Sequence, residues 1–140
     1  MVGRTTMTAE WRQATDRGEL TAIERLLDSG SDADARDEHG QTALMNAARD
    51  GRTEVVRLLA GRGAGLNHTA KFGLTALMLS VIRGHIDVAR ILIDGGADLQ
   101  VRGTGAPGFH GKTAWDLAME RDSEPMKELL RRAGGGEPPS

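Results

Sequence analysis

No cysteine occurs anywhere in the chain, which removes disulfides, thiolate metal sites and a cysteine nucleophile from consideration. Long apolar runs are missing as well. The longest apolar-rich stretch, Leu74 to Ile82, is far shorter than a membrane span requires, and the N-terminal MVGRTTMTAE has no apolar core of signal-peptide length. These two absences point to a cytoplasmic protein without a membrane partner. An excess of charge of one sign is also lacking: 18 Lys and Arg stand against 20 Asp and Glu, a net charge of −2. Near-neutrality gives no global reason to expect a nucleic-acid partner. With 39% apolar and 27% charged residues over 140 positions, the chain has the make-up of one soluble domain able to bury a core. Fifteen Arg against three Lys fits a GC-rich, bacterial genome.

What is present is repetition. Gly73 to Asp98 lies over Gly40 to Gly65 at an offset of 33 residues, with Thr-Ala-Leu-Met on Thr-Ala-Leu-Met and Leu92 on Leu59. A further step back brings Gly51 to Gly18, Leu59 to Leu26 and Gly63 to Gly30. Forward, the match returns at an offset of 38, as Thr113, Leu130 and Gly134, so a five-residue insertion precedes the last copy. Self-similarity at this period is the mark of a stacked array. Each unit reads helix, Gly, helix, Gly, extended turn. In the first, Thr8 caps a helix through Arg17, Gly18 ends it, and a second helix over Thr21 to Asp28 carries Ile23, Leu26 and Leu27 at helical spacing before Gly30. Helices this short do not persist alone in water, so stacking must stabilise them.

Aligned columns predict the stacking face. Trp11, Leu44, Leu77 and Trp115 form one column and Leu26, Leu59, Leu92 and Leu130 another. An unbroken apolar column is what a core running through a solenoid needs. The two tryptophans are therefore read as packing groups, and Met45 and Met78 as wall residues. In the last unit Ser123-Glu124-Pro125 reads as N-cap, acidic first turn and early proline, with Arg131 and Arg132 complementing the helix C-terminus.

These residues resemble the ankyrin repeat, whose pattern is a turn Asp, Gly-x-Thr-Pro-Leu-His-x-Ala, a Gly between antiparallel helices, a Val/Leu-rich second helix and Gly-Ala-Asp before a hairpin-like loop. Asp37, Gly40, Thr42, Leu44, Ala47, Gly51, Val55, Leu58, Leu59, Gly63 and Ala64 match in one unit. Gly73, Thr75, Leu77, Gly84, His85, Val88, Leu92, Gly96, Ala97 and Asp98 match in the next. Ala43, Ala76 and Ala114 stand in place of the Pro, Met45, Met78 and Asp116 in place of the His, and Ala70 in place of the turn Asp. Losing those hydrogen-bonding groups is expected to loosen the hairpins. The resemblance implies an all-α ankyrin-like solenoid of about four helix-turn-helix repeats with β-hairpin-like loops. Its expected units are residues 8–36, 37–69, 70–102 and 108–134, with an insertion at 103–107, an N-terminal tail at 1–7 and a disordered tail at 135–140.

The insertion, GTGAPGFHGKT, carries the one pattern that suggests chemistry. Gly103, Gly105 and Gly108 fit G-x-G-x-x-G, and Gly111-Lys112-Thr113 ends a loose phosphate loop, in which bare N–H groups at a helix start cradle phosphate. The repeat register already explains Gly111-Lys112-Thr113, and no βαβ unit surrounds it. Gly103 and Gly105 are left to an extended, flexible finger. His39, His68, His85 and His110 show no metal-ligand spacing, and no Ser-His-Asp arrangement stands out. No enzyme, cofactor or metal site is expected.

The resemblance implies that a protein or peptide partner docks on the concave side, formed by hairpin tips and first helices. The positions are Arg36, Glu38, His39, Gln41, Arg49 and Asp50, then Thr69, Lys71, Phe72, Leu74, Ile82 and Arg83, then Arg102, Phe109, His110, Lys112, Glu120 and Arg121. Seven are basic and three acidic, so a near-neutral chain would turn a basic face to an acidic partner. Phe72, Leu74, Ile82 and Phe109 supply an apolar centre of the kind that anchors interfaces. The expected function is a non-catalytic interaction module, an adaptor or regulator, working as a monomer. Phosphate binding by residues 103–113 and a homo-oligomer joined through the apolar patch are the alternatives.

Overall fold

A computed structural model describes residues 6–135, and within them the repeat becomes eight α-helices arranged in four pairs. The pairs are α1 (Ala9–Arg17) with α2 (Leu20–Asp28), α3 (Ala43–Asp50) with α4 (Thr53–Gly61), α5 (Ala76–Arg83) with α6 (Ile86–Asp94), and α7 (Ala114–Arg121) with α8 (Glu124–Arg132). Among the described residues there is no extended strand, only isolated bridges. None of the helices is long and apolar enough to cross a membrane. The expected tail segments 1–5 and 136–140 lie outside the described residues. Thr6 and Met7, expected in the tail, instead lie along the first hairpin, where the Met7 N–H donates to the Arg36 carbonyl at 2.9 Å.

The first helices and α8 start on side-chain caps, whereas α2, α4 and α6 have none. Thr8, Thr42, Thr75 and Thr113 each accept, through the side-chain hydroxyl, the backbone N–H three residues on, which satisfies an otherwise orphaned donor. Thr113 goes further: Asp116, in the place of the family's His, accepts from the Thr113 N–H at 3.0 Å and completes a reciprocal cap. Ser123 caps α8 as its sequence suggests. The second helices close on a left-handed glycine, and the next N–H folds back four times over, Ser31 to Leu26, Ala64 to Leu59, Ala97 to Leu92 and Gly135 to Leu130.

Stacking is two rows deep. α1, α3, α5 and α7 form one row and α2, α4, α6 and α8 the other, with the first row packed more closely. Side-chain size explains the difference. The columns Ala43–Ala76–Ala114 and Ala47–Ser80–Ala118 are small and buried, so the first helices approach closely, whereas Leu59, Val56, Leu92 and Val88 hold the second helices apart. An array whose rows differ in spacing curves toward the tighter row, which puts the first helices and hairpins on the hollow side. Both predicted columns are core, and Trp11, Trp115, Met45 and Met78 are buried packing groups.

Side chains also tie neighbouring turns. Asp34 accepts the Gly65 N–H at 2.9 Å, and one repeat later Asn67 accepts the Asp98 N–H at 2.8 Å. On the opposite edge His85 reaches back across Gly51 and its Nε2 meets the Arg49 carbonyl at 3.0 Å.

Candidate functional site

The hollow side is built from three equivalent hairpin tips, and they are not alike. In the first, the Asp37 carboxylate accepts from the backbone N–H of His39 at 2.8 Å and of Gln41 at 3.0 Å, and from the Asn46 amide at 3.1 Å. Burial pushes this carboxyl upward, but the bonds from Gln41, Asn46 and His39 together outweigh it and hold it below its ordinary value. Arg36 adds a second brace, donating to the Gly40 carbonyl at 2.6 Å and across to the Thr69 carbonyl at 2.9 Å. At the third tip Arg102 occupies the place of Arg36 and donates to the Gly111 carbonyl at 2.7 Å.

The middle tip, Ala70 to Leu74, has neither brace. Ala70 stands where Asp37 does and Thr69 where Arg36 does. The backbone resolves this by a single turn of 3₁₀ helix, Lys71–Gly73, in which Phe72 takes a left-handed φ of 65°. For a bulky residue that conformation costs about 1–2 kcal/mol. Support comes from outside the repeat. The Thr104 N–H donates to the Phe72 carbonyl at 2.7 Å, and the Phe72 and Phe109 rings lie 5.3 Å apart with a 31° tilt. Lys71 Nζ sits 5.1 Å from the centre of the Phe72 ring.

The insertion is therefore a folded loop, not the extended finger its glycines suggest. Gly103 is buried against the Phe109 carbonyl, where a Cβ would collide, and Gly105, with a φ of 76°, packs on the Phe72 ring. The loop also engages within the fold the N–H groups of Gly111, Lys112 and Thr113, the end of the suggested phosphate loop. Gly103 N–H donates to Lys112, Phe109 and His110 to Ala106, Gly111 to Gly103, Lys112 to Phe109, and Thr113 to Asp116.

Of the residues expected on the partner face, several have duties within the fold. Leu74 is only 7% exposed and belongs to the core, so it offers no docking surface. Arg36 and Arg102 brace hairpins. Arg49 is ion-paired with Asp50 at 2.9 Å and donates to Gln41, and Lys112 pairs with Glu120. Register makes Gln41–Arg49, Leu74–Ile82 and Lys112–Glu120 one position expressed three ways, polar, apolar and ionic. His39 and His110 are exposed, His39 lying 3.6 Å from Glu38. Glu38 itself is held below its ordinary value by the Arg12 guanidinium, which donates to both its oxygens at 2.5 Å. Among the described residues Lys71, Arg83 and Arg121 have no carboxylate at ion-pair distance. On the expected partner face the Arg12–Glu38 and Arg49–Asp50 pairs compensate charge in the first two repeats, while in the third Lys71 lies over the Phe72 ring. No group of three or more His, Asp or Glu among the described residues could hold a metal ion.

The strained middle tip and its support were the features sequence reading missed. The signal was available in the register, as the loss of Asp37's and Arg36's counterparts in the same hairpin. Asp37→Ala should cost about 1–2 kcal/mol near neutral pH by leaving its donors unpaired. The sign with pH follows from the lowered carboxyl: its contribution is present above the unfolded value of about 3.9 and is lost as pH falls through the folded value beneath it. Urea unfolding at pH 7 and pH 3 should show the gap between variant and parent narrowing in acid.

A family model described as Ankyrin repeats (3 copies) matches residues 11–103 and 60–136. Curated relatives match over shorter spans. The ankyrin repeat domain-containing protein 29 of Homo sapiens is 47% identical over 39% of this chain and 18% of its own length. The ankyrin repeat, SAM and basic leucine zipper domain-containing protein 1 of Ovis aries is 41% identical over 39% of this chain and 11% of its own. The 2-5A-dependent ribonuclease of Mus musculus is 40% identical over 37% of this chain and 7% of its own. The match thus spans less than a fifth of each of these relatives.

Proposed function

The chain belongs to the ankyrin repeat family, whose arrays generally act as protein-interaction modules, and on that premise we propose that its hollow side binds an acidic, partly apolar segment of another protein without catalysing a reaction. One observation carries this reading: Lys71, which has no carboxylate at ion-pair distance among the described residues, sits over the ring of half-buried Phe72, which pairs with half-buried Phe109, while Arg83 and Arg121 are exposed cations at the ends of α5 and α7. Cations that are not neutralised within the fold attract an acidic chain and speed its encounter. Half-buried aromatic and aliphatic side chains supply the desolvated centre on which such an interface turns. The paired charges of Arg12, Glu38, Arg49 and Asp50 leave the first two repeats with less to offer, so the segment lies mainly over the third and fourth.

Selection from a library of short random peptides tests the reading. Binders should be enriched in Asp and Glu next to Phe, Leu, Ile or Met. The Lys71→Glu/Arg83→Glu double variant, at two surface positions, should keep its thermal midpoint and lose affinity for the selected peptides by about tenfold or more, most at low salt. Basic or neutral binders, or selected peptides indifferent to the charge reversal, would overturn it.

A further inference from the structure

The middle hairpin is held from outside by a part of the same chain that sits where a partner's apolar side chain would. Phe72 is strained, its carbonyl is capped by the Thr104 N–H, and its ring is covered by Phe109. Every other backbone bond of the loop described here runs within residues 103–112 or to the helix cap. The loop's backbone bonds therefore do not depend on Phe72, whereas the tip, closed by its own Ala70–Leu74 and Gly73–Ala70 bonds, takes from the loop the bond that caps the strained Phe72 carbonyl. At this junction Lys71 lies over the Phe72 ring, with Arg102 where the chain enters the loop, so an incoming chain that carries carboxylates beside one apolar ring meets matching charge.

We propose that Phe109 is an internal stand-in for an aromatic or large aliphatic side chain of the acidic segment, and that binding displaces the Phe109 ring from Phe72. The inference rests on the function proposed above and adds its regulation. Phe109 acts as a competitor held in cis, so the fraction of molecules with Phe72 uncovered sets the apparent affinity. Thr104 keeps its bond to the Phe72 carbonyl while the ring exchanges, which holds the strained tip in the receptive conformation. The incoming ring takes the face of Phe72 that Phe109 leaves, and its neighbouring carboxylates meet Lys71.

The test uses the full chain and a fluorescein-labelled peptide in which one Phe is flanked on both sides by Asp and Glu, with the same peptide carrying Ala for Phe as its control. Phe109→Ala should bind the Phe peptide about threefold or more tightly than the parent chain, with the Ala peptide unchanged. Phe109→Leu, which keeps apolar contact with Phe72 and guards against a folding defect, should fall between the two. Phe72→Ala should bind both peptides alike. Equal or weaker binding of the Phe peptide by both Phe109 variants overturns the displacement. If the Ala peptide still binds and is released by Lys71→Glu/Arg83→Glu, only the displacement falls. If neither peptide binds any of these proteins, the reading beneath it falls as well.

Discussion

Leu59→Ala is expected to destabilise the array by about 3–4 kcal/mol, enough to remove a large share of a typical domain's stability. Leu59 is fully buried, in the middle of the Leu26–Leu59–Leu92–Leu130 column, and α4 packs on both α2 and α6. Truncation therefore opens a cavity at two repeat interfaces at once. The two tryptophans make the consequence readable from both ends, because Trp11 belongs to the first repeat and Trp115 to the last. Fewer than about three stacked repeats do not stand alone. Loss of the second repeat should then bring down the whole array, and urea midpoints read in Trp11→Phe and Trp115→Phe backgrounds should fall together. Leu26→Ala, at the end of the column, should cost less and move the Trp11 signal ahead of the Trp115 signal. A shift below about 1 kcal/mol for Leu59→Ala, against the usual large cost of a buried Leu truncation, would mean that the column is not the spine of the fold.

How far the structure could be read beforehand follows from the distance over which each determinant acts. Thr caps, left-handed glycines and the buried columns depend on neighbours within one repeat or at a fixed offset of 33, so the aligned sequence exposes them. Leu74 shows where that logic ends. Its register partners Gln41 and Lys112 are more exposed and point to the surface, yet Leu74 is buried, because burial depends on three-dimensional neighbours that register does not name. The same holds for the insertion. Gly103 and Gly105 are explained by contacts with Phe109 and Phe72, one inside the loop and one a repeat away. A break in the period removes the template that made the rest legible. Paired charges are a third case: a count of seven basic and three acidic positions says nothing of which are neutralised, and the structure pairs Arg49 with Asp50 in the second repeat and Lys112 with Glu120 in the fourth.

Gly51→Ala should cost about 3 kcal/mol, while Gly84→Ala, at the equivalent place one repeat later, should cost about 1 kcal/mol. The two glycines share a left-handed backbone, with φ of 73° and 77°, so the conformational part of the penalty is common to both. They differ in what lies above them. A Cβ on Gly51 would stand 2.7 Å from the His85 ring, whereas nothing lies within 4 Å of one on Gly84. Relief at Gly51 requires His85 to withdraw, which breaks its bond to the Arg49 carbonyl and with it the tie between the second and third repeats. In a His85→Ala background the Gly51→Ala cost should therefore shrink to about that of Gly84→Ala, a coupling that a double-mutant cycle of urea unfolding measures directly. The last repeat shows that the conformation alone is tolerable. Its counterpart residue is Asp122, with a φ of 51° and a carboxylate 3.0 Å from Lys127 Nζ, one of the non-glycine types that accept a left-handed backbone. Equal costs at Gly51 and Gly84 would show that His85 yields freely and that the tie adds nothing to the coupling of these repeats.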